Sequence, residues 1–369
     1  MKFCVIGAGS GGRAVAAYLA SMEYSVNLYN RSSRRIKYIK RKGGIEANGA
    51  LKGFFPLNKT TQDLESAIND VDVIMVVVPA SGHKDIAKKL SPHLSSNQII
   101  LLNPGRTFGA LEFHNIVRER RKVLSTSIAE TQTLLFTSRE LKKNKVRIFR
   151  IKDRVNFSSF HENKNILIHK KLKRFFPQLK PVNNYFQLTL NNIGMLLHPT
   201  ISLFNTGAIE TKIDFKFYNE GASIRVCKIM EKIQNEINQI FLKLGLSRIN
   251  FCRWAEQVYG VFGKTIYDTL RKIEIYQKIN SPKKLKTRYL TEDVPTGLVP
   301  IASLGKFLKV NTPTIDSIVH LSSILCGIDF WKKGRTVKNL ELAPILKQRF
   351  DLKPSIPEMI IDGDEYSFV

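Results

Sequence analysis

Short apolar runs punctuate the first third of the chain, at Phe3–Ile6, Val26–Tyr29, Val71–Val78 and Gln98–Leu102. They are short, often β-branched and rarely interrupted by charge, which predicts strands of a parallel sheet covered on both faces. Polar stretches with helical spacing lie between them, at Arg34–Lys42, Asp63–Ile68, from His83 to about Leu94, and at Leu111–Arg121. Gly43–Pro56 reads as a small hairpin excursion and Val123–Ile128 as a further strand. From Arg147 to Phe176 the pattern mixes short β-like pieces with a basic amphipathic helix, and Pro177 and Pro181 break it. Beyond that point the period is helical. Ile224, Cys227, Met230, Ile233, Ile237, Ile240, Phe241 and Leu244 recur at three- and four-residue steps along one long helix. Further helices fit Phe251–Tyr259, Thr265–Ile279, Ile301–Leu308 and Thr314–Cys326, and the residues after Leu352 read as an arm or tail. The expected fold is α/β: a doubly wound, Rossmann-type parallel-sheet domain over residues 1–180, followed by an all-helical substrate domain over 181–369.

The first apolar run ends at Gly7, Gly9, Ser10, Gly11 and Gly12, and an Ala-rich helix follows at once. This is G-x-G-x-x-G in its required setting, with a strand before it and a helix after. Backbone N–H groups at the helix start, with the macrodipole behind them, suit a pyrophosphate. The second strand runs into Asn30-Arg31-Ser32. An NAD site would place an acid there for the ribose hydroxyl, whereas arginine and serine suit a 2′-phosphate. NADP(H) is therefore the expected cofactor, with NAD(H) the second. Strand-end loops 79–83, 103–106 and 129–132 should face it.

Charge and cysteines narrow the setting. The formal net charge is +27, which invites a nucleic-acid reading. Its distribution argues against one. Basic clusters at Arg34–Lys42, Arg118–Lys122, Lys142–Arg154, Lys170–Lys180 and Lys283–Arg288 are spread over both halves, and aromatic residues do not alternate with the charges as a stacking platform would require. A solvated basic surface that steers anionic substrates is expected, with small molecules rather than nucleic acid or membrane as partners and a homodimer as the assembly to test. Any DNA binding should be sequence-indifferent and collapse between low and physiological salt; a nanomolar, sequence-selective complex at physiological salt would overturn this. Cys4, Cys227, Cys252 and Cys326 share no motif spacing, so neither disulfides nor a metal site are expected. The early glycines interrupt any leader-like apolar region, and a cytoplasmic location follows.

Two stretches of the helical half carry chemistry: Asn191–Thr200, with His198 before Pro199, and Arg288–Pro300, with Asp293. Alone, such a histidine is structural and such an Arg–Asp pair a weak surface contact. Beside a dinucleotide domain they supply what hydride transfer to C=N or C=O needs. Histidine protonates the heteroatom, a carboxylate fixes its tautomer, and arginine clamps a substrate carboxylate.

With these residues the chain resembles the octopine/nopaline (opine) dehydrogenase family. The matching stretches are Gly7–Gly12, Val78-Pro79-Ala80 with His83, Pro104-Gly105-Arg106, Ala129-Glu130-Thr131-Gln132-Thr133, Asn192 with His198-Pro199, Arg288-Tyr289 with Glu292-Asp293-Val294-Pro295, and Gly334-Arg335-Thr336. The resemblance implies reductive condensation of an amino acid with a 2-oxo acid, using NADH or NADPH. It implies His198 as general acid/base, Asp293 as its partner and Arg288 as the carboxylate clamp. Asn192, Glu130 and Thr131 would lie around the substrate, and Pro79, Ala80 and His83 around the cofactor. Asn30-Arg31 departs from the acid expected of NAD-using relatives. Two rival readings are an NADPH-dependent reductase of a simple 2-oxo or 3-hydroxy acid, and a non-catalytic dinucleotide sensor or polyanion binder.

Overall fold

A computed structural model describes residues 1–121 and 125–351. Its strands are β1 Lys2–Ile6, β2 Ser25–Tyr29, β3 Gly44–Gly49, β4 Gly53–Pro56, β5 Lys59–Thr61, β6 Val73–Val76, β7 Ile99–Leu102, β8 Ser127–Thr131, β9 Phe136–Glu140, β10 Lys145–Ile151, β11 Val155–Ser159 and β12 Leu179–Pro181. The main sheet has the order β12-β11-β8-β7-β6-β1-β2-β5 and is parallel from β5 through β8. β11 joins antiparallel to β8, and β12 pairs parallel to β11, so the sheet runs one residue past the expected 180/181 division.

The central strands are apolar on both faces because both are covered. One face packs on the helix Ser10–Ala20, and on Phe175 and Phe176. The other face shares a continuous core with the helices beyond residue 184. Helix Ile224–Lys243 lays its apolar stripe along that core, and Ser223 caps it by accepting from the Val226 N–H.

Three expectations are extended or shifted. The Gly43–Pro56 excursion is half of a second sheet, ordered β4-β3-β10-β9, in which Glu46 stands opposite Lys145. This sheet covers the helix Ser10–Ala20, which is why that helix is apolar on nearly every side. The strand expected at 123–128 lies at Ser127–Thr131, in register with Ile99–Leu102; Val123 and Leu124 lie outside the described residues. The helix expected over Thr265–Ile279 breaks at Ile273 (ψ 96°) into Ile266–Lys272 and Glu274–Gln277, the Gln277 amide donating to the freed Leu270 carbonyl. The tail expected after Leu352 also lies outside the described residues.

Candidate active site

β1 and β6 are neighbours in the sheet, and the connections leaving their carboxyl ends run to strands on opposite sides. Gly7 takes φ +112° there, and a Cβ would run into the Val77 carbonyl. Gly12 packs so tightly that a Cβ would run into the Gly7 carbonyl, whereas a Cβ on Gly9 would meet nothing within 4 Å. The cradle is thus closed toward the protein and open above Gly9, and these residues fit a dinucleotide pyrophosphate.

Arg13 holds the cradle from behind. Though charged and set in an apolar helix, it is 2% exposed. Its Nε donates to Ala8 O (3.0 Å), its Nη atoms donate to Lys143 O (2.9 Å) and Arg35 O (3.1 Å), and it pairs with Glu140 at 2.9 Å. Ser10 is engaged as well, its hydroxyl accepting from the Glu140 N–H (2.8 Å). Asn30 is a brace: its amide oxygen accepts from Ala8 N–H and its amide nitrogen donates to Ser32 O. Arg31 and Ser32 are exposed.

Across the cleft, helix Ile193–Leu203 carries His198, and a single turn at Arg288–Thr291 leads to Glu292 and Asp293. A widened π turn, Val294–Leu298, follows, with Leu298 N–H bonded to Asp293 O. His198 Nδ1 lies 2.7 Å from Asp293 Oδ2, and Nε2 lies 2.8 Å from the Tyr218 hydroxyl. A carboxylate only accepts, so the neutral ring carries its proton on Nδ1 and Nε2 accepts from Tyr218. The ring stacks on Tyr289, with centroids 4.5 Å apart. Asp293 is fully enclosed. Burial opposes its charge, but Arg106 and His198 outweigh that and hold its carboxyl below the usual range. Arg288 is exposed at the rim, close enough for its charge to favour the Asp293 carboxylate.

The Rossmann side contributes Arg106. Its Nε donates to Glu292 Oε1 (3.2 Å), while one Nη lies 3.2 Å from Asp293 Oδ1 and 3.4 Å from Asn192 Oδ1. Glu292 also accepts from the Ala80 N–H (3.3 Å). In return, Arg335 reaches back from the helical half. It donates to Gly105 O (3.1 Å), Thr107 O (2.8 Å) and His83 Nδ1 (3.2 Å), and pairs with Glu112 at 2.8 Å. Two arginines thus cross the domain contact in opposite directions.

The structure brings His198, Asp293 and Asn192 together and sets Arg288 at their edge. Pro79 and Ala80 lie on the strand-end loop that meets Glu292. His83 is elsewhere: fully enclosed behind Arg335, with burial pushing its pKa well down, it props a turn and offers no face to a cofactor. Glu130 and Thr131 lie inside β8 rather than in a loop, and their side chains turn into the protein. Thr131 Oγ1 donates to Thr133 O, and Glu130 accepts from Ala110 N–H (2.5 Å). Burial lifts the Glu130 carboxyl to about 7.

A raised carboxyl pKa stabilises the fold below the unfolded-state value and loses that contribution as pH rises through the folded-state value. Thermal stability is therefore expected to drop between about pH 4.5 and 7, and Glu130→Gln, which keeps the acceptor, should blunt the drop. Equal melting-temperature profiles for the two proteins would refute it.

Sequence reasoning missed Arg13, Tyr218 and Lys152. Lys152 is 7% exposed and donates to Thr133 Oγ1 (2.8 Å); burial, with Arg106 and Arg150 nearby, lowers it to about 7. Its only local signal was a lysine ending an alternating strand. Among the described residues no cluster of three or more metal-ligating side chains occurs, and no helix is long and apolar enough to cross a membrane.

Comparison with known proteins agrees with this fold. Residues 181–326 match the family model for the NAD/NADP octopine/nopaline dehydrogenase, alpha-helical domain. Residues 2–109 match that for the NAD-dependent glycerol-3-phosphate dehydrogenase N-terminus. The chain is 37% identical over 342 residues to an opine dehydrogenase of Arthrobacter sp. (strain 1C), covering 92% of this chain and 95% of that one. An octopine dehydrogenase structure with NADH and L-arginine superposes with TM-score 0.79 at 17% identity, covering 97% of this chain and 100% of that one. A yersinopine dehydrogenase with NADP+ bound superposes with TM-score 0.76 at 13% identity, covering 95% and 99%.

Proposed function

Because the chain belongs to the octopine/nopaline dehydrogenase family, we propose that His198 and Asp293 form its acid/base pair, that Arg288 holds the carboxylate of a 2-oxo acid, and that NADPH is its preferred cofactor. The chain is an NAD(P)-dependent oxidoreductase of the opine type, acting on CH–NH donors and condensing an amino acid with a 2-oxo acid. The observation that carries the residue assignment is the His198–Asp293 hydrogen bond at 2.7 Å, in the helical half where it meets the Rossmann strand-end loops bearing Ala80 and Arg106.

When bound, the nicotinamide supplies the hydride. The protein's part is protonic and electrostatic. Asp293 fixes the imidazole with its Nδ1 proton inward, so Nε2, which accepts from the Tyr218 hydroxyl until a substrate displaces it, is the atom that exchanges a proton with the substrate nitrogen. Arg288, unpaired in an ion pair among the described residues, offers a planar fork to a carboxylate. Lys152, near neutrality, adds a cation once an anion is beside it. A matrix of 2-oxo acids against amino acids, followed by NADPH absorbance, tests the reading. Turnover should require both substrates. Equal rates with the oxo acid alone would indicate a simple oxo-acid reductase, and no turnover anywhere a sensor.

The NADPH assignment is supported by Arg31 and Ser32, exposed beside a braced Asn30 where an acid would select NADH. Arg31→Ala should weaken NADPH binding by about 1–3 kcal/mol, the loss of a charge-assisted partner, and hardly alter NADH binding. Equal KM values for the two cofactors in the unaltered protein would sink it. The four cysteines are free thiols, in keeping with the cytoplasmic setting we infer. Light scattering after size exclusion tests the inferred homodimer.

A further inference from the structure

Resting on the reading of His198 and Asp293 as the acid/base pair, we propose that Arg106 of the Rossmann domain is a positioning residue for that pair, completing it only when the two domains are packed together. The side chain is only 10% exposed, and its donors are engaged by Glu292, Asp293 and Asn192. Nε faces Glu292, and the nearer Nη is shared between Asn192 and Asp293. It is not free to clamp a substrate.

Asp293 uses one oxygen, Oδ2, for His198; the other, Oδ1, is buried without a hydrogen-bond partner of good geometry and has only the Arg106 guanidinium at 3.2 Å. The slot is shaped for that guanidinium. Helix Ile193–Leu203 approaches it at Gly194, where a Cβ would run into Arg106 Nη1 and lie 2.9 Å from Asp293 Oδ1. The turn bearing Arg106 is in turn pinned on both sides by Arg335, through the Gly105 and Thr107 carbonyls.

The groups facing Asp293 from every side are few. His198 comes from the helix, Arg288 and Tyr289 from the preceding turn, and Glu292 from the adjacent position. Tyr218 comes from the neighbouring loop and Arg106 from the other domain. Removing Arg106 leaves two acidic side chains adjacent in a buried site, with His198 as the remaining direct partner of Asp293. The carboxylate then protonates more readily and loses its fixed orientation.

The test uses the full chain and kcat/KM measured against pH. Arg106→Gln should move the acid limb upward by about one to three pH units, the range for a carboxylate losing an adjacent arginine, with NADPH binding retained as the check on folding. Arg106→Lys should restore most of the wild-type profile. Gly194→Ala pushes the guanidinium aside without removing its charge and should shift the limb in the same direction by less. In an Asp293→Asn background, Arg106→Gln should cost little more, since groups acting through one another are non-additive. A loss of equal size at every pH, or a rise confined to KM for the oxo acid, overturns the proposal. So does a lysine variant as damaged as the glutamine one. If His198→Ala keeps its rate, the underlying assignment has failed; if His198→Ala is inactive and the Arg106 and Gly194 profiles are unshifted, only the role of Arg106 has.

Discussion

Replacing His198 with alanine is expected to cut kcat by about 10² to 10⁴, the range for a positioned general acid, while NADPH affinity stays unchanged. The separate supports of the two sites favour the split. His198 sits on the helical wall, bonded to Asp293 and Tyr218, whereas the glycine cradle is held by Arg13, Asn30 and Glu140 from the Rossmann side. Asp293→Asn should also lower kcat, because an amide leaves the tautomer and orientation of the ring less well determined. Combining it with His198→Ala should add little, since in the proposed mechanism the two act as a unit. Steady-state kinetics with the productive substrate pair, alongside fluorescence titration of NADPH, measures both halves. A variant retaining more than about a tenth of the wild-type rate lies outside the general-acid range and would make the histidine structural.

The second large effect concerns stability. Arg335→Met is expected to destabilise the chain by about 3–5 kcal/mol, the cost of removing one partner of a buried pair. Arg335 is 2% exposed, and the substitution leaves the carbonyls of Gly105 and Thr107 and the Glu112 carboxylate short of donors. The comparison is Lys283→Met at the exposed pair with Asp214, where the loss should be under about 1 kcal/mol. Urea unfolding followed by circular dichroism compares them. Indistinguishable midpoints would mean that water or a neighbouring side chain replaces Arg335 at little cost.

What could be read before any coordinates was what local chemistry determines. Gly7–Gly12 announces a cradle because the turn, the close approach and the helix start all fall within six residues. The strands β1, β6 and β7 are continuous apolar runs because both sheet faces are covered, and Ile224–Leu244 shows its stripe because only one side of that helix is buried. Long-range pairing left no such mark. Nothing in Glu46 or Lys145 says that they stand opposite one another. Arg13 looks like a solvated helix charge until the second sheet closes over it. Glu130 and Thr131, in a polar stretch after an apolar strand, read as loop residues; strand register and internal hydrogen bonds turn both inward. His198 and Asp293 entered through their family-like settings, not through any spacing between them, and the fold sets them 2.7 Å apart. The crossing of Arg106 and Arg335 depends on how two domains meet, which no local pattern encodes.

The Tyr218 hydroxyl on His198 Nε2 bears on how inhibitors of this enzyme should be built. A ligand nitrogen aimed at the imidazole does not find a bare acceptor; it exchanges one hydrogen bond for another. Such an exchange is worth only about 0.5–1.5 kcal/mol even when the geometry is good, and it must also displace a phenol stacked on Tyr276 with ring centroids 4.2 Å apart. Medicinal chemistry directed at the histidine would therefore gain little potency per added atom. The group beside Tyr218 is better left small.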